Sequence, residues 1–402
     1  MGGMKKSIIV TLVILICGCA IVPAGITEPG LNIYSAGFYY DGISNKPCLW
    51  TGTDRADLPL PPLVKEFKIT DMAAANDGIV YISGQYKDQN LWKACYWKNT
   101  VRTDLPAPFS YQNSYTTAIT LRENGSVYIS GYYEDDKVSK PCYWQGIARR
   151  DLHVSHRSVD TYTTALKVTN NGTVFITGYY KDPAGDKPCY WQEAARYDLN
   201  IPALSKYSKI SAFDVTENIL VYSAGHYIDS IGSRPCYWTG TTRIDLPLPA
   251  GNVDFNISGI TVAANKAVYI SGDYGMQQGS GKIRKPCYWQ GSTRIDLLDG
   301  FSGGYTTNIA AVKDGFYITG YINDGSGWLP CFWNNNTKTD IVPSGYYGYT
   351  VMDFIITEPN IVYTTGFFRR YNDLIICYWK NADYYIAGYV QGTIVKMLIV
   401  KN

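Results

Sequence analysis

Val127-Tyr-Ile-Ser-Gly131-Tyr-Tyr133-Glu-Asp135, then Lys140-Pro-Cys142-Tyr-Trp144-Gln-Gly, then Arg149-Arg-Asp151-Leu: this phrase decides the fold, because the chain repeats it eight times. Its glycines are Gly37, Gly84, Gly131, Gly178, Gly225, Gly272, Gly320 and Gly366, and its tryptophans are Trp50, Trp97, Trp144, Trp191, Trp238, Trp289, Trp333 and Trp379. Successive copies lie about 47 residues apart, a period at which one supersecondary unit stacks on the next in a propeller or solenoid. The copies fill nearly all of the 402 residues, so residues 30–402 read as one repeat domain with no room for another.

Each copy reads as four short strands, a to d. In the third, strand a covers about 117–122, and the Asn124-Gly125 turn leads into strand b, about 126–133. Strand c covers about 141–145, and a Gln-Gly turn leads into strand d, about 148–152. The expected fold is all-β: an eight-bladed propeller of four-stranded antiparallel blades. A four-stranded sheet cannot bury both faces alone, so blades must stack around an axis, and a shared blade ties the chain ends. The tail Thr393–Val400 has the form of a strand a and is expected to complete the blade containing Ile33–Tyr40; Ala24–Thr27 could supply only a stub. Copy six carries extra residues around Met276-Gln-Gln-Gly-Ser-Gly, read as a loop insertion, and copy eight has Ile386 where the others have Asp.

The repeated positions have plain structural readings. Glycine inside a strand marks a bulge or the close approach of another backbone. Cys142 and Trp144, two apart, share a strand face, and one indole per blade suits packing between sheets. The repeat cysteines are expected to be reduced and buried, since equivalent positions on stacked sheets lie roughly 10 Å apart and a disulfide needs Cα atoms within about 7 Å. Arg149 and Asp151 also share a face and recur in most copies, as a pair guarding the edge strand. Asp135 and its equivalents read as turn initiators rather than calcium ligands.

Met1–Gly18 is a processing segment: Lys5 and Lys6 precede an apolar run, Ile8–Ile16, too short to span a bilayer. Leu15-Ile-Cys17-Gly-Cys19 resembles the lipobox of bacterial lipoproteins. That resemblance implies cleavage before Cys19, acylation of Cys19, a tether over residues 19–29, and a place in the bacterial cell envelope, on the extracytoplasmic side of a membrane. The alternatives are a plain secretory signal cut near Ala20 or Ala24 and an uncleaved anchor.

A net charge of +2 gives no broad case for nucleic acid as a partner. A meander puts the b–c and d–a connections at one end, and these vary most between copies, so recognition is expected there. The aromatics read as lying on those loops are Trp92, Tyr111, Tyr115, Tyr162, Tyr207, Phe255, Phe301, Tyr305, Trp328, Tyr346 and Tyr347. Exposed Tyr and Trp favour protein interfaces or sugar stacking. His153-x-x-His156 and His226 form no zinc signature, and no nucleophile elbow, phosphate loop or dinucleotide fingerprint occurs. No catalytic residue, cofactor or metal is expected.

The Cys-Tyr-Trp…Arg-x-Asp-Leu half of each copy resembles HAF-type extracellular repeats, and Cys95-Tyr-Trp97-Lys-Asn and Cys377-Tyr-Trp379-Lys-Asn resemble tandem repeats of bacterial lipoproteins. The resemblance covers about residues 30–390 and implies a propeller-like fold outside the cytoplasm, with no activity attached. The expected function is a membrane-anchored monomeric scaffold binding a protein or glycan. The alternatives are a propeller hydrolase or lyase acting on polysaccharide, or a structural envelope protein.

Overall fold

The computed structural model describes residues 29–401, apart from 76, 155–158, 251–253, 280, 298–302, 314, 343–347, 359–360 and 371–372. Cys19 with its processing segment and tether, His156, Phe301, Tyr346 and Tyr347 therefore lie outside the described residues. The described chain forms eight four-stranded sheets, each with the order a-b-c-d. In the third, strand a is Ser114–Leu121, b is Val127–Asp135, c is Val138–Gln145 and d is Ala148–Asp151.

Turn chemistry sets these boundaries. Gly125 closes the a–b turn at φ 78°, and the Asn124 side chain accepts the Ser126 N–H at 3.0 Å. Asp136 and Lys137 make a two-residue b–c turn at φ 48° and 66°, the mirror-image geometry that matches strand twist. At the c–d turn every copy places one residue at φ between 51° and 59°: Gly52, Asn99, Gly146, Glu193, Gly240, Gly291, Asn335 and Asn381. Where that residue is Asn99, Glu193 or Asn381, its side chain accepts an N–H at the start of strand b, on Val80, Val174 or Val362, at 2.8–2.9 Å.

Strands b and c are longer than the sequence pattern indicates, because the polar segment between them pairs as a hairpin. Copy six is the extreme case: its extra residues extend the ladder to Gln278↔Gly281 rather than forming a loop. The C-terminal strand Thr393–Lys401 pairs antiparallel with Leu31–Tyr40, from Leu31↔Lys401 to Phe38↔Thr393, and takes the inner place in blade one. Ala24–Thr27 lies outside the described residues.

Apolar clusters join every pair of neighbouring blades and complete a circle. Tyr34 of blade one packs with Ile82 of blade two, Tyr81 with Ile129, Tyr128 with Ile176, and Phe175 with Tyr227. Tyr222 packs with Ile270, Tyr288 of blade six with Phe316 of blade seven, Ile318 with Val362, and Tyr363 of blade eight with Leu31 of blade one. The eight repeat tryptophans are the largest fully buried side chains, at 0–2% exposure. Their Nε1–H groups reach backwards: Trp97, Trp144, Trp191, Trp238 and Trp289 donate to the carbonyls of Pro59, Pro106, His153, Asn200 and Pro247, each just past strand d of the preceding blade, at 2.8–3.0 Å.

The repeat glycine answers to a bulge in strand a. In blade three the register slips between Thr116 and Ala118, and a Cβ on Gly131 would stand 2.0 Å from the Tyr115 carbonyl oxygen and 2.8 Å from the Trp144 ring. On the outer strand, Arg149 Nε lies 2.8 Å from Asp151 and the guanidinium sits 5.1 Å from the Tyr133 ring centre. The same stacking recurs at Arg55/Tyr39, Arg102/Tyr86, Arg196/Tyr180, Arg243/Tyr227 and Arg294/Tyr274. Blade eight has Tyr384 and Ile386 at these places, and Tyr384 packs on Trp379 at 5.8 Å. Asp41, Asp182, Asp229 and Asp324 initiate turns, each accepting backbone N–H groups within three residues.

Gly131→Ala is expected to cost about 3 kcal/mol through overpacking against backbone, read as a lowered Tm. The eight repeat cysteines are free and buried, and burial pushes their thiols up, Cys48 to about 12. A thiol-reactive probe should label them only after unfolding; rapid labelling of the native protein would contradict this packing.

Candidate functional site

The eight strands a surround the axis. In blades two, three and six the extra residue of the bulge joins its own strand b and the next blade by hydroxyl pairs. Thr70 bonds Ser83 at 2.9 Å and Thr116 at 2.7 Å, Thr117 bonds Ser130 at 2.9 Å and Thr163 at 2.7 Å, and Ser258 bonds Ser271 at 2.8 Å and Thr306 at 2.7 Å. Along blades four to seven the channel widens into a cavity of about 590 Å³ lined by Thr164, Lys167, Ser211, Asp214, Ser258 and Asn308. Lys167 and Asp214 pair across it at 2.5 Å, and Lys396 of the closing strand pairs with Asp71 at 3.3 Å.

The channel mouth at the b–c and d–a end is built from one register pair per blade, next to each bulge. Strand a contributes Lys68, Tyr115, Tyr162, Lys209, Asn256, Tyr305, Thr350 and Thr393. The residue after each repeat glycine, on strand b, sits opposite: Gln85, Tyr132, Tyr179, His226, Asp273, Tyr321, Phe367 and Phe38. Over blades two to four the rings touch in a row. Trp92 to Tyr115 is 6.4 Å, Tyr115 to Tyr132 4.8 Å, Tyr132 to Tyr162 5.0 Å, and Tyr162 to Tyr179 5.1 Å. All five rings are half-buried. The row is taken up again by Tyr207, His226 and Phe255 in blades five and six, at 5.7 and 5.9 Å, and by Tyr321, Tyr305 and Trp328 in blade seven, at 5.0 and 5.2 Å.

The aromatics expected on loops are thus mostly on strands. Tyr115, Tyr162, Tyr207, Phe255 and Tyr305 lie in the opening residues of strands a, and Trp92 and Trp328 lie in strands c, because the hairpins are longer than the pattern indicates. Tyr111 is on a d–a loop, 68% exposed, and stacks on Phe109 at 5.4 Å, away from the row. Tyr132, Tyr179 and Tyr321 do not stand out in the sequence, since they lie inside the repeat phrase and pass for packing residues, and His226 is weighed there only as a metal ligand. Alternation was the available signal: Gly131 and Tyr133 share one face, so Tyr132 must point to the other.

Beside Trp92, between blades one and two, an apolar cavity of about 400 Å³ is walled by Phe38, Phe67, Ile69 and Val395 and edged by Lys65 and Lys68. Asp273 is the one carboxylate of the two mouth rings, 1% exposed and bonded to Arg284, which also reaches Asp254 at 3.2 Å. Burial raises the Asp273 carboxyl to about 6 against the opposing pull of Arg284. Burial, with help from Lys209, lowers the His226 imidazole below its ordinary value, which keeps it neutral at pH 7. Among the described residues no three His, Cys, Asp or Glu side chains gather to hold a metal ion.

No family model and no curated protein matches the chain. Among solved structures it is similar at 11% identity to an ulvan lyase bound to a glucuronate–sulfated rhamnose ligand, with 82% of this chain and 83% of that one covered and a TM-score of 0.39. It is similar at 9% identity to the dihydro-heme d1 dehydrogenase NirN, with 94% and 78% covered and a TM-score of 0.48. A fucose lectin from Kordia zhangzhouensis matches at 14% identity over 33% of this chain and 97% of its own, with a TM-score of 0.26. The eight-bladed fold rests on the sheet topology of the chain itself.

Asp273 carries a pH signature. Its folded pKa is raised, so the folded state binds the extra proton between about pH 4 and 6, and stability falls as pH rises through that window. Asp273→Asn should therefore gain on the wild type as pH rises from 4 to 7, by up to about 2–3 kcal/mol, measured as the difference in Tm across the pH series.

Proposed function

We propose that this chain is a lipid-anchored, extracytoplasmic binding scaffold that holds a glycan or protein ligand across the aromatic mouth at its b–c and d–a end. The observation that carries this reading is the continuous row from Trp92 to Tyr179, with its rings in contact across three blades and half open to solvent. Tyr and Trp offer large, rigid contact area at little entropic cost and keep a polar edge for hydrogen bonding. The Tyr115 hydroxyl meets Glu134 at 3.4 Å, and the Asn113 amide donates to the same carboxylate at 2.7 Å, so polar groups border the stacking faces.

The position of the chain ends supports the anchor. Leu31 begins strand b of blade one and Lys401 ends strand a of the same blade, so both stand at the a–b and c–d end, opposite the mouth. A tether from Cys19 would hold that end towards the membrane and leave the mouth facing away, within a reach of about 35 Å. A glycoside hydrolase would need two carboxylates facing each other across the mouth. The one carboxylate on its two rings is instead buried against Arg284, which favours binding over that chemistry.

The test uses a soluble form with Cys19 replaced, on a glycan array and in protein capture. Tyr132→Ala with Tyr162→Ala should weaken the ligand found by at least about tenfold, or 1.4 kcal/mol, while far-UV circular dichroism stays that of the parent. Unchanged binding by the double variant would move the ligand off the mouth. For the anchor, labelled palmitate should enter the full chain and not the Cys19→Ser form.

A further inference from the structure

Resting on the mouth as the binding site, we infer that its ligand is an anionic glycan, a polysaccharide bearing carboxylates or sulfate esters, laid across blades two to five. The inner ring reads Lys68, Tyr115, Tyr162, Lys209 over these four consecutive blades: two tyrosine faces with a lysine at either side. Both lysines are exposed, and neither belongs to an ion pair among the described residues. A third cation, Lys181, sits 5.3 Å from the Tyr162 ring centre, and Lys65 stands with Lys68 on the edge of the apolar cavity below Trp92.

Of the acids nearby, two are ion-paired and two accept hydrogen bonds, while Asp186, opposite Lys181 in the register and close to Tyr179, adds a negative charge on the blade-four side. Glu66 pairs with Lys87 at 2.9 Å. Glu134 takes the Asn113 amide and the Tyr115 hydroxyl. Asp160 accepts the Ser139 N–H at 2.9 Å. Asp273, on the neighbouring blade six, is bonded to Arg284. Glu134, Asp160 and Asp186 keep their charge, but Lys68 and Lys209, at the two ends of the tyrosine pair, have no ion-pair partner among the described residues and are the cations free to meet a ligand. A sugar ring offers an apolar face to a tyrosine, and its acidic substituent lies at the ring edge, where a flanking lysine can meet it. A neutral glycan would leave both lysines unused, and an acidic peptide would leave the stacking faces unused.

The experiment titrates the soluble form with oligogalacturonate for carboxylates, dextran sulfate for sulfate esters, dextran as the neutral glycan, and poly-glutamate as the acidic peptide. Binding to one or both anionic glycans is expected, with oligogalacturonate and dextran sulfate telling carboxylate from sulfate. Affinity should fall steeply between 0.05 and 0.5 M salt, as screening shortens from more than about 10 Å towards a few ångström. Lys68→Gln with Lys209→Gln should lose at least about tenfold for the anionic glycan, or 1.4 kcal/mol, with Tm unchanged. Dextran bound as well as the anionic glycans and without salt dependence would overturn the inference yet keep the mouth as a binding site. Poly-glutamate bound as tightly as the glycans would overturn the glycan class. Binding of an anionic glycan that survives the lysine double variant, or no binding of any probe, would also overturn it, and only failure of the tyrosine double variant to affect a bound ligand would sink the mouth itself.

Discussion

The contact between a bulged inner strand and a glycine on the next strand governs the rest of this molecule. In all eight blades, a Cβ at the repeat glycine would meet a strand a carbonyl oxygen at 1.9–2.5 Å, so no other residue fits without moving backbone. In blades two, three, four, six and seven the repeat tryptophan of the same blade lies against that glycine as well, within 3.0 Å of the same Cβ position. The indole is thereby seated, and its Nε1–H points back to the carbonyl past the preceding outer strand. In blades two, three, four and six one small residue thus lets strand bend, indole seat and inter-blade bond form together, which ties the repeat glycine to the repeat tryptophan.

The bulge also separates scaffold from site. In blades two, three and six its extra residue, Thr70, Thr117 or Ser258, closes a hydrogen bond to the next blade. The residue ahead of the glycine's own register partner, Lys68 in blade two and Tyr115 in blade three, lies at the mouth. Its backbone carbonyl is fixed against the glycine while its side chain varies: Lys, Tyr, Tyr, Lys, Asn, Tyr, Thr and Thr from blade two around to blade one. Variation where the scaffold is indifferent is what a recognition surface needs, and here it sits on strand ends rather than on loops, which gives it a rigid support.

How much of this was legible follows from the same geometry. Eight copies, their antiparallel order and the closing role of Thr393–Val400 could be read because a repeat with a surplus strand at one end has one economical closure. The burial of Cys142 and the pairing of Arg149 with Asp151 followed from two-residue spacing. The stacking of Arg149 on Tyr133 did not, because it spans three strands. The site was only half legible. Trp92, Tyr115 and Tyr162 stood out as aromatics beyond the repeat slots, yet they were assigned to loops, since hairpins with polar tips carry no apolar alternation to mark their length. Tyr132 and Tyr179 were hidden for a different reason. Both faces of a blade are covered by neighbouring blades, so alternation separates the two faces without saying which residue ends at the axis.

The near-neutral charge of the chain conceals the mouth. Most cations of the repeat are balanced within their own blade: the outer Arg149 type by Asp151, and the strand c cations Lys46, Lys187 and Arg234 by the turn aspartates Asp41, Asp182 and Asp229 at 3.5–4.0 Å. Such exposed pairs add little stability each, roughly 0–1 kcal/mol, but they cancel field as well as charge. What a ligand meets is then set by the few cations outside this bookkeeping. Lys68 and Lys209 occupy a position where three other blades carry tyrosine, so Lys in place of Tyr there changes the potential of the mouth and interrupts the ring row while the strand register stays the same. A propeller built on self-neutralising repeats can in this way tune one end for an acidic ligand through two substitutions in its inner ring.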